Sequence, residues 1–556
     1  MRNNGILKIL AILIALVLIG SCAAMPSAGG ISEGEVKSSS SATIYVPDNY
    51  PTIQAAVNAT TPGDTIIVRD GTYSYNYKEN IDVKKPHLTI KSENGSENCI
   101  VQAANSSDNV FTVTADYVNI SGFTVTGATR ANPYYCAGIR VDNADHCNIS
   151  DNFVTKNYLG IYLNSSNNNM FTDNIASNSW YGICLSSSSS NTFSNNSANS
   201  NNDDGVYLYY SSSNTFMNNS ASSNNDDGVY LYYSSSNTFS NNNASNNDDS
   251  IYLRYSNNNT FMNNSANSNN DDGVCLYFSS SNTFSNNNAS NNDEGIWLGY
   301  FSNNNTFMNN SANSNNDDGV YLYYSSSNTF SNNNASNNDE GIKLDYSSSN
   351  TFSNNNANSN NDEGILLYSS SSNTFSNNNA SNNWYGIRLS SSNSNTFSNN
   401  NANSNNDEGI HLYSSSSNTF SSNTANSNSH GIYLGYSSNN AITNNNANSN
   451  NHFGIYLYSS SDNTIYLNNF INNTDNVHSY NSANIWNSTE EITYIYNGGQ
   501  CTNYIGNYWD DYKGKYPAAE EIGSTGIWDM PYSINPDEDT YPLMEGFENY
   551  FVSIEN

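Results

Sequence analysis

From Gly138 onward, apolar and polar residues follow one short schedule that repeats to the end of the fifth hundred of residues. Each copy carries a tetrad, Gly, then Ile or Val, then a variable residue, then Leu or Val. The tetrad glycines stand at 138, 160, 182, 205, 228, 273, 295, 319, 341, 364, 386, 409, 431 and 454, with Ser250 in the one remaining place, so fifteen copies follow at steps of 22 to 24 residues. In the copy at Gly205, Val206 and Leu208 alternate with Tyr207 and Tyr209, which is the period of a strand. Phe216 follows after one polar segment and Ala221 after another. Aligned across copies, these positions become four apolar columns: Ile or Val, Leu, Phe or Ile, and mostly Ala. None has helical spacing.

A period this regular means a solenoid. Four small apolar columns per copy suit a coil of three short strands and three turns, with coils stacked about 4.8 Å apart. An asparagine precedes Thr-Phe in copy after copy (Asn191, Asn214, Asn237, Asn259, Asn282, onward to Asn463), and Cys147 holds that position in the first. An amide there can bond to the same amide one coil on, so the column reads as an asparagine ladder. The expected fold class is all-β, a single-stranded parallel β-helix with three short strands per coil.

The ends divide the chain further. Residues 42–137 are expected to hold an N-terminal cap and the first coils, with a short amphipathic helix, Thr52 to Asn58, covering the open edge of the first coil. Residues 138–473 are the regular array, and 474–556 an aromatic, acidic closing segment. Residues 1–22 have the form of an export signal: Arg2 and Lys8 lie before and at the edge of the apolar run, and small residues follow it. "LIGSC" resembles a lipobox, which implies lipid on Cys22; the alternative is ordinary cleavage a residue or two later. Residues 23–41 read as a flexible spacer. The expected location is extracellular, at the cell surface, with a lipid anchor as the one tie to the membrane.

Two sets of motifs carry a family resemblance. "YPTIQAAVNATTPGDTIIVRDGTY" resembles the opening of pectin-lyase-like right-handed β-helix proteins. "NNFINNTDNV", "GNYWDDYKG", "MPYSI" and "YPLM" resemble the closing segment of NosD-type β-helix proteins, common on archaeal cell surfaces. The resemblance implies a right-handed helix of PbH1-type repeats. It also implies copper handling as one role open to such a chain.

Composition narrows the partners. Only 12% of residues are charged while 43 are tyrosine, too polar for a series of compact cores and too aromatic for disorder. With 49 acids against 16 bases the net charge is −33, which excludes a nucleic-acid surface. Metal cations and neutral sugars are the compatible ligands. The cysteines show no metal spacing, and Cys136 with Cys147 is the expected disulfide.

Three features bear chemistry. The first is an acid pair ahead of the tetrad: Asp203/Asp204, Asp226/Asp227, Asp248/Asp249 and Asp271/Asp272, continuing to Asp407/Glu408. Stacked carboxylates about 4.8 Å apart repel by about 0.9 kcal/mol in water. Two readings stand: Ca²⁺ bridges the rungs, or the acids splay into solvent. Equal rungs supply no acid–base asymmetry, so no catalytic residue is assigned. The second feature is two outward aromatic stripes, Tyr207, Tyr230, Tyr252, Trp297 and Tyr321 in one and Tyr209, Tyr232 and Tyr323 in the other, of the kind that stacks on sugar rings. The alternative is a ladder that only covers strand edges. The third is a break in the pattern where His411, His430 and His452 fall on consecutive rungs, the place for a transition metal, copper included.

The expected function is binding of carbohydrate or an envelope polymer, calcium-assisted. The alternatives are a polysaccharide hydrolase or lyase on the same coil, and NosD-like copper handling. Scattered basic residues and the absence of a Ser-His-Asp or HExxH pattern lean against an enzyme.

Overall fold

A computed structural model describes residues 41–74, 80–130 and 135–552. The export signal, Cys22 and residues 23–40 of the spacer lie outside the described residues. Ala42 onward forms one body. Its strands pair almost entirely in parallel with the coil before and the coil after, and one face alone is a 19-stranded sheet. The expected right-handed parallel β-helix is the fold found.

The apolar columns become the core. The Ile-Leu face is built from strands such as Val206–Tyr209 and Val229–Tyr232, paired Val206↔Val229 and Leu208↔Leu231. The Thr-Phe face is built from three-residue strands such as Thr215–Met217. Its phenylalanines stack face to face along the axis, Phe193 to Phe216 and Phe216 to Phe239 at 4.6 Å each. Within the array the third face is shorter than expected. It holds single bridges, Ser220 to Asn243 to Ser265, rather than strands. The corners explain this, because Asn218 and Ser223 both adopt left-handed φ (57° and 59°) and leave four residues between them. True third strands occur in the early coils, for example Phe153–Thr155 and Ile175–Ser177, and again at the closing end, where Asn469–Phe470 pairs with Tyr508–Trp509.

Asparagine does more than expected. From Asn191, Asn196 and Asn201 onward the coils of the array carry an asparagine at each of three corners, and each corner forms its own ladder. Asn214 donates from Nδ2 to Asn237 Oδ1 (3.1 Å) and to the Ser188 carbonyl (3.0 Å), while its backbone N–H also donates to Asn237 Oδ1 (2.9 Å). Asn219 and Asn242 repeat the pattern at the second corner, and Asn201, Asn224 and Asn247 at the third. A serine ladder (Ser211 N–H to Ser234 Oγ, 3.0 Å) completes the inward-facing turns. The turn carbonyls and N–H groups that a bent coil cannot pair in sheets are satisfied this way.

The expected cap helix is α1, Ile53–Ala59, started by Thr52, whose hydroxyl accepts from the Ala55 N–H, and it buries Ile53, Ala56 and Val57. At the other end the asparagine ladder runs on through Asn468 to Asn507 (2.9 Å). There the "GNYWDDY" segment closes the core. Trp509 stacks between Phe470 (4.6 Å) and Tyr532 (4.4 Å). Asp539 is fully buried and accepts from Asn507 N (2.7 Å), Trp509 Nε1 (2.9 Å) and Tyr541 N (3.1 Å). Position 506 has to be glycine, since a Cβ would lie 1.9 Å from Asp539 Oδ1.

The expected disulfide is not formed: Cys136 and Cys147 are both buried and free. Cys136 precedes the Ile-Leu strand of its coil, and Cys147 leads into the Thr-Phe strand Asn148–Ser150. Cys147 heads the asparagine ladder, its N–H bonded to Asn169 Oδ1 (2.7 Å) and its Sγ directed at the Ala115 carbonyl (3.4 Å).

Candidate functional site

The acid pairs stand at the corner where the third face turns onto the Ile-Leu face, and their two members separate. Asp204, Asp227, Asp272, Asp318, Glu363 and Glu408 are buried, whereas Asp226, Asp248 and Asp271 are exposed, with Asp203 and Asp249 between. The rungs are therefore not equal, and the reading in which all the acids splay into solvent is corrected: six of the nine pairs keep one acid in low dielectric. Burial, reinforced by neighbouring carboxylates, pushes Asp204, Asp227 and Asp272 well above the usual carboxylate range and Asp249 up to about 7. Asp226 rises to about 6 for the same first reason. Several acids come close enough to share a cation, among them Asp203, Asp204 and Asp226, and Asp249, Asp271 and Asp272, each set with ligand atoms within 4.8 Å.

The later coils neutralise this column from within. Lys343 lies 3.2 Å from Asp318 and 3.4 Å from Glu340, and Arg388 lies 2.5 Å from Glu363. Both cations occupy the variable position of the tetrad, the column that holds tyrosine elsewhere. Among the described residues, Asp204, Asp227, Asp249 and Asp272 have no such ion pair.

The tyrosines of the inner stripe are half-buried and stack on one another, Tyr207 to Tyr230 at 5.2 Å and Tyr230 to Tyr252 at 5.0 Å. Tyr209 and Tyr232 stack at 5.7 Å. Ring faces that cover each other present mainly edges to solvent. Tyr321 donates to Asp345 Oδ2 (3.0 Å), Trp297 lies over Gly299, and Tyr323 meets Tyr300 and Tyr324 edge-on. A third aromatic column, absent from the two expected stripes, runs through Tyr210, Tyr233 and Tyr255 with rings 5.0 and 4.9 Å apart. The doubled "YY" of the repeat is the signal for it. Its members have left-handed φ, so they leave the strand and point outward at the corner.

Of the three histidines, one joins a converging set: Asp407, Glu408 and His430 have ligand atoms within 4.8 Å of one another, while His411 approaches Glu408 alone. Glu408 and His411 lie on the strand Glu408–Tyr413, and His430 opens the next, His430–Gly435, directly beside Glu408 in register. His411 Nδ1 is 3.5 Å from Glu408 Oε2, and His430 Nδ1 is 3.7 Å from Glu408 Oε1 and 3.9 Å from Asp407 Oδ1. Glu408 Oε2 and both Nδ1 atoms are buried without a hydrogen-bond partner. Burial holds the His430 imidazole below its ordinary value, which favours the neutral ring that a metal binds. Donors about 2.0–2.2 Å from a tetrahedral ion stand roughly 3.3–3.6 Å apart, so the observed spacings need only slight closure. His452 is exposed and stacks on His430 at 5.3 Å. It joins no converging set among the described residues.

Comparison with known proteins gives two family matches. Residues 57–268 and 355–514 match the family described as periplasmic copper-binding protein (NosD), and residues 233–380 match the right-handed β-helix region. No curated protein matches. Among solved structures, pectate lyase Pel9A is 20% identical over 54% of this chain and 80% of its own, with TM-score 0.35. An alginate lyase from Paenibacillus is 17% identical over 52% of this chain and 97% of its own, TM-score 0.28. An α-1,3-glucanase from Streptomyces thermodiastaticus is 12% identical over 57% of this chain and 62% of its own, TM-score 0.37.

Proposed function

The chain belongs to the NosD family, and from that premise we propose that it is an exported β-helix protein that holds a transition-metal ion, copper first, between Glu408, His411 and His430. One observation carries this reading: Glu408 Oε2, His411 Nδ1 and His430 Nδ1 are buried without a hydrogen-bond partner, the imidazole nitrogens lie 3.5 and 3.7 Å from a Glu408 oxygen, and Asp407, Glu408 and His430 converge within 4.8 Å. Buried polar atoms are nearly always partnered, so unpartnered ones grouped about one carboxylate mark a missing ligand. Two imidazoles and a carboxylate suit Cu²⁺, Zn²⁺ or Ni²⁺, and copper heads the affinity order for such donors. Asp407 is near enough to supply a fourth donor. The rigid coil presets the spacing, and a bound cation would discharge Glu408 as Lys343 and Arg388 discharge the acids before it. The leader at residues 1–22 and lipid on Cys22 belong to the same proposal, since they would place the site outside the membrane.

The measurement is metal content and affinity of the mature protein. One equivalent of Cu²⁺ is expected to bind, and His411→Ala together with His430→Ala is expected to weaken binding by at least about 100-fold, or roughly 2.7 kcal/mol. His452→Ala is expected to leave it unchanged. Equal affinity in the double variant would overturn the assignment.

Envelope polymer binding is a second reading, supported by the outward column of exposed Tyr210 and Tyr233 and half-buried Tyr255. Because the inner rings are half-buried and Tyr210 and Tyr233 are exposed, contact with a sugar chain falls to this outer rank. Retention on a glycan array is expected to drop when Tyr210, Tyr233 and Tyr255 are changed to Ser. A pattern identical to the parent protein removes the reading.

A further inference from the structure

The inner aromatic stripe is interrupted twice by cysteine, and the two gaps differ. Cys184 stands in register between Tyr162 and Tyr207, and Cys275 between Tyr252 and Trp297. In the Cys184 coil the residue ahead of the tetrad glycine is Tyr181, which stacks on Tyr207 at 5.8 Å, and the cavity of about 430 Å³ beside it is walled by tyrosines with no acid in its lining. In the Cys275 coil that same position is Asp272. A carboxylate replaces the ring, and the notch of about 390 Å³ here is lined by Tyr252, Cys275 and Trp297 together with Asp249, Asp271, Asp272 and Glu294. Two coil steps, about 9.6 Å, separate the rungs that carry the flanking rings. Trp297 lies across Gly299, where a Cβ would come within 2.2 Å of the indole, so the glycine is what lets the ring lie flat beside the opening.

The floor of the notch carries four acids, Asp249, Asp271, Asp272 and Glu294. Asp272 is buried, and its Oδ1 has no hydrogen-bond partner. Asp249 Oδ1 accepts only the Asp272 N–H (2.8 Å) among the hydrogen bonds formed here. No lysine or arginine makes an ion pair with these four acids among the described residues. The nearest guanidinium, Arg254, is spread over the rings of Tyr232, Tyr255 and Tyr277 instead.

We propose that this notch is a binding site for an organic ammonium ion, a quaternary or alkylammonium group carried by a free solute or by an amine-bearing envelope polymer. The two halves of the lining select that chemistry together. Aromatic faces attract a weakly hydrated cation, tryptophan most strongly. Carboxyl groups beside them, which hold their protons in the empty notch, ionise as a cation enters and supply the opposite charge in low dielectric. A neutral sugar would use the rings and leave the acids unpaired. A small hydrated divalent ion would use the acids and leave the rings idle. The site is several coils from Glu408 and does not depend on a metal there.

Isothermal titration of the mature protein with tetramethylammonium, choline and an amino-sugar oligomer tests this, with glucose and Ca²⁺ as comparison ligands. One saturable site for tetramethylammonium and choline is expected, weakened by added salt, with no binding of glucose. Trp297→Ala and Asp272→Asn are each expected to reduce affinity by at least about tenfold, while Trp297→Phe retains most of it and the melting temperature confirms the fold. Tighter binding of the oligomer than of choline identifies the polymer-borne amine as the source, and equal binding the free solute. Absence of saturable binding by every ammonium probe overturns the proposal. So does binding that neither variant changes, or a Ca²⁺ isotherm through the same acids that choline does not shift.

Discussion

Between about pH 5 and about pH 8 the metal-free protein loses thermal stability, its melting temperature falling by at least about 5 °C when followed by circular dichroism. The cause is the column of buried acids. Burial comes first, and like-charged neighbours second, in raising Asp227 and Asp272; Asp227 is faced by Asp204, Asp249, Asp226 and Asp248. A carboxyl whose folded value lies above its unfolded value binds its proton more tightly in the fold. Its stabilisation is complete below the unfolded value, about 4, and is lost as pH rises through the folded value. The upper edge of that window is marked by Asp226 at about 6 and Asp249 at about 7. Asp539, raised to about 7 by burial in the closing segment, adds to it. The usual rise in stability with pH for paired carboxylates is thus reversed. Asp227→Asn, which keeps the shape and removes the charge, should raise the melting point at pH 8 and flatten the profile. A melting temperature that is level or climbs from pH 5 to pH 8 would show that these acids find compensation elsewhere.

Asn264→Leu is expected to cost roughly 5 kcal/mol, measured by urea unfolding or by protease cleavage confined to the neighbouring coils. The side chain is buried, and four hydrogen bonds pass through it. Nδ2 donates to the Phe239 carbonyl (3.0 Å) and Asn287 Oδ1 (3.0 Å), and Oδ1 accepts from the Asn242 N–H (2.9 Å) and Nδ2 (3.0 Å). The backbone N–H also donates to Asn287 Oδ1 (2.9 Å), a bond the substitution keeps. Leucine fills the volume but strands the Phe239 carbonyl and the Asn242 donors in the interior. Each unsatisfied buried group costs about 1–3 kcal/mol. Thr260→Ala, on the outward side of the adjacent strand, should stay within about 0.5 kcal/mol. A loss below about 1 kcal/mol for Asn264→Leu would mean that water enters the corner and takes over the amide's bonds.

Much of the fold is readable from spacing. The tetrad, the Phe column and the Asn before Thr-Phe mark the Ile-Leu face, the Thr-Phe face and the first ladder. Thr52 marks the start of α1, where its hydroxyl caps the Ala55 N–H. The other two asparagine ladders went unread because Asn is so abundant that Asn219 and Asn224 do not stand out from their neighbours. The Cys136–Cys147 bridge was suggested by proximity in sequence, which means little where each face of a coil lies across the core from the others. Among the site residues, His411 and His430 were singled out by the break in the repeat. Asp407 and Glu408 stand among these rungs in the sequence, but the histidines' different offsets from the glycine give no sign of which donors meet.

The sequence alone determines the coil, because parallel in-register stacking pairs each residue with its own kind one period on. A column that is self-compatible, Phe on Phe or Asn on Asn, therefore announces both its period and its face. It does not determine which acid of a pair is buried, which histidines meet, or which gap in the aromatic stripe is lined by acids. Those depend on the corner angle of the backbone and on residues one coil away, such as Tyr181 over Cys184 and Asp272 beside Cys275. Dielectric and access at a point are set by everything that surrounds it in space, and only the stacked structure supplies those neighbours.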